Sequence, residues 1–273
     1  MRVRGGGGVE LHVEEAGRRA GRPVVFLHGY SQSALAWRRQ LAGPLARELR
    51  LVAVDLRGHG RSGKPATGYG EAATWAADVR AVVDTLELVD PVLVGWSYGG
   101  AVACDALRHG LRPAAMVLVA AATDVGTARA RALSGQQFLA LLPGLVSTEV
   151  GDSVAALSAL TRLCTEAERP WPEVVATLGA GVLVPPHVRR ALFARRCDND
   201  DVLSAYGGPV LQVHGARDRV VLPGASLRRA PLLSDGTLSV YEGVGHMPFL
   251  EDPERFDAEL ARLVRRAGSL RLR

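Results

Sequence analysis

A serine, a histidine and an aspartate stand in this chain in contexts that suit nucleophilic acyl transfer. The serine is Ser97, in Val92-Leu93-Val94-Gly95-Trp96-Ser97-Tyr98-Gly99-Gly100, which contains Gly-x-Ser-x-Gly. Composition alone would produce one such pentapeptide with a probability of roughly 0.2, so the bare pattern carries little weight. Its context carries more: it follows a short apolar run and opens a helical pattern, as the strained strand-turn-helix of a nucleophile elbow requires. Gly95 and Gly99 let backbone pass close to backbone. The serine is then held at the positive end of the following helix, where its plainer use would be an N-cap.

A serine hydroxyl is a poor nucleophile unless a base removes its proton. His246 is the best candidate, because Gly243-Val244-Gly245-His246-Met247-Pro248 is a glycine-rich loop just after a strand-like run ending near Tyr241. The other histidines have more ordinary uses. His12 alternates out of a strand, His109 sits near a helix C-terminus, and His187 follows two prolines; His28, His59 and His214 lie in loops after strands, where bonding to the backbone is commoner. The base needs a carboxylate that fixes its tautomer and stabilises the imidazolium. Asp218, in His214-Gly215-Ala216-Arg217-Asp218, fits this role, and Asp124, after the run 116–119, competes for it. The order Ser, Asp, His favours Asp218. The oxyanion formed on attack needs two fixed N–H donors, each worth ~3 kcal/mol of barrier. The backbone N–H of Tyr98 is one, and that of Tyr30, in the His28-Gly29-Tyr30 turn, is the other.

These residues need a scaffold that brings them to one edge. The N-terminus reads as a hairpin: Val3 and Arg4, a turn at 5–8, then Val9, Leu11 and Val13 alternating with Glu10, His12 and Glu14. The four glycines do not read as a phosphate loop, because no helix start follows them. Short continuous apolar runs at 24–27, 51–54, 91–94, 116–119, 210–213 and 238–241 read as strands buried on both faces. Helical patterns at 37–49, 74–88, 98–109 and 256–264 lie among them, so the chain predicts an α/β domain with a mostly parallel sheet. The alternation lapses from about 124 to 205, where 129–142, 153–168, 172–178 and 186–196 read as helices. Active sites of open parallel sheets lie beyond the strands' carboxyl ends, so this insertion reads as a lid. The expected organisation is a core over 1–123, a helical lid over 124–205 and the rest of the core over 206–273.

Composition excludes several other classes. The chain has 273 residues, enough to bury a core without metals or cross-links. Its three cysteines, Cys104, Cys164 and Cys197, form no CxxC or Cys/His cluster, which argues against a disulfide framework and a zinc site. Residues 1–8 contain no apolar segment of the secretory kind, and no stretch of ~18 apolar residues predicts a membrane span. The cytoplasm is the expected location. Lys64 is the only lysine, and the arginines are scattered, as at Arg38, Arg39, Arg265 and Arg266, without interleaved aromatics; nucleic acid is therefore not an expected partner. Asp198, Asp200 and Asp201 lack the glycine and terminal glutamate of an EF-hand loop. They read as a solvated turn and helix cap, and no metal is expected.

The set His28-Gly29-Tyr30, Asp55-Leu56-Arg57-Gly58-His59-Gly60-Arg61-Ser62, Gly95 to Gly100, Gly215-x-x-Asp218 and Gly245-His246 resembles the α/β-hydrolase superfamily. Within it, the resemblance is to the cofactor-free esterase and non-haem haloperoxidase-like branch. It implies an eight-stranded, mostly parallel sheet flanked by helices, a Ser97/His246/Asp218 triad, an oxyanion hole at Tyr30 and Tyr98, and no cofactor. The Asp55 to Ser62 loop is then structural, with Arg57 and His59 outside catalysis. Related dehalogenases and epoxide hydrolases carry aspartate at the elbow, and Ser97 argues against both. The implied reaction is hydrolysis of a carboxylic ester of a small or medium apolar substrate through an acyl-serine. Lactone opening or ring closure, peracid formation, or a ligand-binding receptor on the same fold are the alternatives. The lid residues Phe138, Leu139, Leu141, Leu142, Leu145 and Val146 would line a pocket for an acyl chain or ring, or pack the lid on the core. The expected partner is a small ester or lactone, and the expected assembly a monomer or, through an exposed apolar lid face, a homodimer.

Overall fold

In a computed structural model that describes residues 1–270, the apolar runs become strands of one eight-stranded sheet. They are β1 (Arg2–Arg4), β2 (Glu10–Gly17), β3 (Pro23–Leu27), β4 (Arg50–Val54), β5 (Val92–Trp96), β6 (Ala115–Val119), β7 (Val210–Gly215) and β8 (Gly236–Tyr241), in the spatial order β1-β2-β4-β3-β5-β6-β7-β8. β2 is antiparallel to β1 and β4, and every other pair is parallel. β3, β4, β5 and β6 are buried at every position, which is why their sequences are continuously apolar rather than alternating.

The chain runs from β3 outward to β4 and then crosses to β5 on the other side of β3. The order reverses there, and the crevice between the carboxyl ends of β3 and β5 is where an open α/β sheet offers a binding site. Two core layers hold the sheet. On one face the Phe26 ring packs tilted against Trp37, with centroids 4.9 Å apart, and Trp37 against Phe249 at 4.3 Å; on the other, Val25 and Leu27 share a layer with Trp75 and Val79.

The helices are α1 (Arg38–Ala42), α2 (Ala72–Thr85), α3 (Gly99–Arg108), α4 (Ala128–Ala132), α5 (Gln136–Leu145), α6 (Val150–Leu163), α7 (Trp171–Val182), α8 (Pro186–Ala194), α9 (Asp200–Ala205), α10 (Gly224–Arg229), α11 (Pro248–Glu251) and α12 (Pro253–Leu270). Two expected helices are broken. The pattern at 37–49 yields α1 between two 3-10 turns, Ala34–Trp37 and Pro44–Arg47, because extended Gly43 is followed by Pro44, which has no N–H to continue the ladder. The pattern at 129–142 yields α4 and α5, separated where Ser134 bridges Val221 and the Gly135 N–H donates to the Val220 carbonyl at 3.0 Å. A Cβ at Gly135 would collide with the Arg219 carbonyl, so this close approach ends α4. Pro143, expected to punctuate, lies inside α5 two residues from its end and costs it a single hydrogen bond.

Between β6 and β7 the chain forms α4 to α9; α5 packs on α6, α6 on α7, and α7 on the Ala34–Trp37 turn. Among the described residues, no helix is long and apolar enough to cross a membrane.

Candidate active site

Ser97 occupies the turn between β5 and α3 with φ +52°, a left-handed conformation that costs a non-glycine residue about 1–3 kcal/mol. The surroundings enforce it. The Ser97 N–H donates to the Val119 carbonyl at 3.0 Å, and its carbonyl accepts from the N–H groups of Gly100 and Ala122 at 2.9 and 3.0 Å. The flanking glycines make the turn possible: a Cβ on Gly95 would lie 2.6 Å from the Gly99 carbonyl oxygen, and one on Gly99 would strike the Leu27 carbonyl. The Gly29 backbone is packed as closely, so that a Cβ there would lie 3.0 Å from the Ser97 Cβ. The turn after β3 and the turn after β5 therefore meet at the crevice.

His246 follows β8 in the loop that leads into α11. Its Nδ1 lies 2.7 Å from Asp218 Oδ2, and both side chains are buried. The backbone of His246 is fixed from two sides: its N–H donates to the Cys164 carbonyl at 2.9 Å, and its carbonyl accepts from Trp96 Nε1 at 2.9 Å. Asp218 Oδ1 accepts from the N–H groups of Val220 and Val221 at 2.8 and 3.1 Å. Burial pushes the Asp218 carboxyl up, but the charge of His246 and hydrogen bonds from His214 and His246 outweigh it and bring it down to about 2. Asp218 is thus ionised at neutral pH.

His214, which the sequence places in a loop suited to backbone bonding, is a member of this network. It belongs to β7, and its Nε2 lies 3.1 Å from Asp218 Oδ2 and 2.8 Å from the Val221 carbonyl, while its Nδ1 lies 2.7 Å from Ser226 Oγ. Two acceptors at Nε2 require the proton there, leaving Nδ1 to accept from the Ser226 hydroxyl. The spacing of His214 and Asp218, four residues apart, is the signal that could have found it.

Asp124, the rival carboxylate, borders the cavity beside Ser97 but pairs with arginines. Its Oδ2 accepts from Arg129 Nε at 2.6 Å and lies 3.6 Å from Arg228. Asp198 and Asp200 gather beside it, but Arg129 is 2.6 Å from Asp198 and Arg228 is 2.6 Å from Asp200, so the acidic trio is already compensated by arginines.

Tyr30 follows β3, and Tyr98 is the first residue after Ser97. Among the described residues no carbonyl accepts the N–H of either, and the Tyr98 N–H belongs to the open first turn of α3. His28 and His59 are structural. Burial pushes them down to about 4 and about 3, and their Nδ1 atoms face the carbonyls of Gly29 and Arg57 at 2.8 Å. Arg57 is paired with buried Asp78 at 2.7 Å.

Two neighbouring lobes share Ser97 in their walls. The larger, about 280 Å³, runs past Tyr98, Ala122, Leu139, Leu142, Leu192 and Phe193, and Asp124, Thr127, Arg131 and Ser134 give it a polar border. The smaller, about 40 Å³, is lined by His246, Met247, Leu160, Cys164 and Leu178 among others; Tyr30, Ser97, Phe138 and Val220 border both. Of the expected pocket residues, Phe138, Leu139 and Leu142 line the cavity and Leu141, Leu145 and Val146 do not. Leu141 packs against the core, and Leu145, at the inner end of α5, is fully buried, with its carbonyl 3.5 Å from the Tyr30 hydroxyl. The Leu192, Phe193, Val220, Leu160 and Leu178 walls have no signal in the sequence, because they come from separate elements.

Residues 24–259 match the Alpha/beta hydrolase family. The chain belongs to that family. Among alpha/beta hydrolases it is similar to a non-heme chloroperoxidase of Streptomyces lividans, 31% identical over 278 residues that cover 94% of this chain and 97% of the relative. The solved esterase RhEst1 from Rhodococcus sp. ECU1013 is 35% identical, with a TM-score of 0.90 over 97% of this chain and 98% of that one. The solved N-acyl homoserine lactone degrading enzyme Est816 is 30% identical, with a TM-score of 0.78 over 96% and 99%. In this alpha/beta hydrolase the histidine loop is also clamped to the insertion. Glu251 Oε1 accepts from the Gly245 N–H at 2.8 Å, and its Oε2 accepts from the N–H groups of Glu166 and Ala167 at 2.7 and 3.1 Å.

Proposed function

We propose that this hydrolase cleaves carboxylic esters of small or medium apolar substrates through an acyl-serine intermediate. Ser97 is the nucleophile, His246 the general base and then acid, and Asp218 the carboxylate that keeps the His246 proton on Nδ1 and so leaves Nε2 free to accept. The N–H groups of Tyr30 and Tyr98 receive the oxyanion. The observation that carries this reading is the 2.7 Å contact between His246 and a buried, ionised Asp218, in a cavity that Ser97 and His246 both line. The esterase neighbour supports it. The insertion over 124–205, between core segments 1–123 and 206–273, serves as the lid, since α5 to α8 contribute most of both lobes' outer walls.

The reaction balances without a cofactor. Ser97 Oγ bonds to the carbonyl carbon as its proton passes to His246; the carbonyl re-forms, and the alkoxy group leaves with that proton as an alcohol. Water, deprotonated by His246, then attacks the acyl carbon and releases the acid and Ser97. Lactone opening would use the same residues, and the lactone-degrading neighbour favours it as the second reading. Steady-state turnover of p-nitrophenyl acetate by the wild type and by Ser97→Ala tests the assignment. Loss of all turnover above background in Ser97→Ala is expected, and a Ser97→Ala rate near wild type would remove Ser97 from the nucleophile role.

A further inference from the structure

We propose that the substrates are methyl or ethyl esters of bulky apolar or aromatic carboxylic acids, with the acid in the larger lobe and the alkoxy group in the smaller. This rests on Ser97 and His246 having the roles just given. Ser97 lines both lobes, so a carbonyl carbon bound at its Oγ lies between them and the two halves of the ester extend one into each. Which half goes where is decided by His246, which lines only the smaller lobe.

The histidine must return its proton to the alkoxy oxygen as the C–O bond breaks, so that oxygen must come within about 2.6–3.2 Å of Nε2. The carbon behind that oxygen then projects into the lobe beside His246. That lobe has about 40 Å³ of free space. That is about a seventh of the free space of the larger lobe, so the smaller one suits a short alkoxy group and the larger one the bulkier half of the ester. Its hydroxyls are already committed: Thr161 Oγ1 donates to the Leu157 carbonyl at 2.9 Å and Thr177 Oγ1 to the Glu173 carbonyl at 2.8 Å. Gln32, the remaining amide of the lining, directs its Nε2 to the Thr177 carbonyl at 3.4 Å, so the surface left for a small alkyl group is mainly apolar.

The larger lobe, about 280 Å³, lies near the lower end of the roughly 300–1,000 Å³ range of small-molecule pockets. Its aromatic wall is continuous, with Tyr30 and Phe193 4.4 Å apart and Phe193 and Phe138 6.1 Å apart between ring centroids. A ring or branched chain on the acyl side would lie against those faces.

Two isomeric esters test this directly, because methyl phenylacetate and benzyl acetate contain the same atoms with acyl and alcohol parts exchanged. Methyl phenylacetate is expected to have the higher kcat/KM by about tenfold or more, the discrimination that even one misfitting methylene brings. Butyl phenylacetate should fall by a similar factor, and Leu178→Ala, which opens the smaller lobe, should raise the butyl-to-methyl ratio. Equal or faster hydrolysis of benzyl acetate, or an unchanged ratio in Leu178→Ala, overturns the assignment of lobes. So does failure to hydrolyse methyl phenylacetate by an enzyme that turns over p-nitrophenyl acetate through Ser97. Hydrolysis that persists in Ser97→Ala is a different result: it removes the nucleophile assignment itself.

Discussion

Asp218→Asn separates the contribution of charge and tautomer at the site from that of shape. The Asn carbonyl can still accept from Val220 and Val221, as Asp218 Oδ1 does at 2.8 and 3.1 Å. Its NH₂ group replaces Oδ2, the atom 2.7 Å from His246 Nδ1 and 3.1 Å from His214 Nε2. His246 must then turn a lone pair toward the amide and carry its proton on Nε2, which leaves no base facing Ser97. The expected loss in kcat is about ten-thousandfold, the size of effect that the wrong tautomer causes in a serine triad. Stability should also fall. A carboxyl held at about 2 against an ordinary 3.8 contributes roughly 2–3 kcal/mol at neutral pH. The assay is kcat/KM on p-nitrophenyl acetate together with urea denaturation, and Asp124→Asn serves as the control. Since Asp124 pairs with Arg129 and borders the larger lobe without contacting His246, its loss should act mainly on KM and change kcat by less than about tenfold. Retention of more than about one-tenth of wild-type activity by Asp218→Asn, or an equal loss in Asp124→Asn, refutes the reasoning.

The acid limb of stability follows from the same carboxyl. Because its folded value is depressed, its contribution is complete above about pH 4 and is lost as pH falls toward 2; denaturation midpoints across that range should drop in the wild type and drop less in Asp218→Asn. Gly99→Ala places a Cβ against the Leu27 carbonyl, a backbone atom with little room to move, and should destabilise by about 1–3 kcal/mol or more in urea unfolding. Glu251→Ala frees the N–H groups of Gly245, Glu166 and Ala167. It should cost about 1.5–3 kcal/mol in urea unfolding and lower kcat more than KM, whereas Glu251→Gln, which keeps one acceptor oxygen, should recover part of both.

The strands and the elbow were legible because local sequence decides them. Strands buried on both faces need unbroken apolar runs, as in β3 and β5, and the turn at Ser97 needs glycines where backbone meets backbone. The breaks in the helices were less legible, because partners far along the chain impose them: α4 ends where Gly135 meets the carbonyls of Arg219 and Val220. The cavity walls were hidden for the same reason. Phe193 on α8, Leu178 on α7 and Val220 beyond β7 share a cavity system only through tertiary packing. Leu145 shows the limit from the other side: its apolar character was visible, but its burial under Tyr30 rather than exposure to the pocket depends on how α5 enters the core. His214 looks like a loop residue in the sequence because β7 runs two residues further than its apolar run, to Gly215.

The central claim is that Ser97 forms the covalent bond. Incubation with a serine-directed fluorophosphonate, followed by peptide mass spectrometry, tests it most directly. A single adduct on the peptide containing Ser97, absent from Ser97→Ala and much slower to form in Asp218→Asn, is the predicted result. An adduct on another residue, or equal labelling of Ser97→Ala, would contradict it.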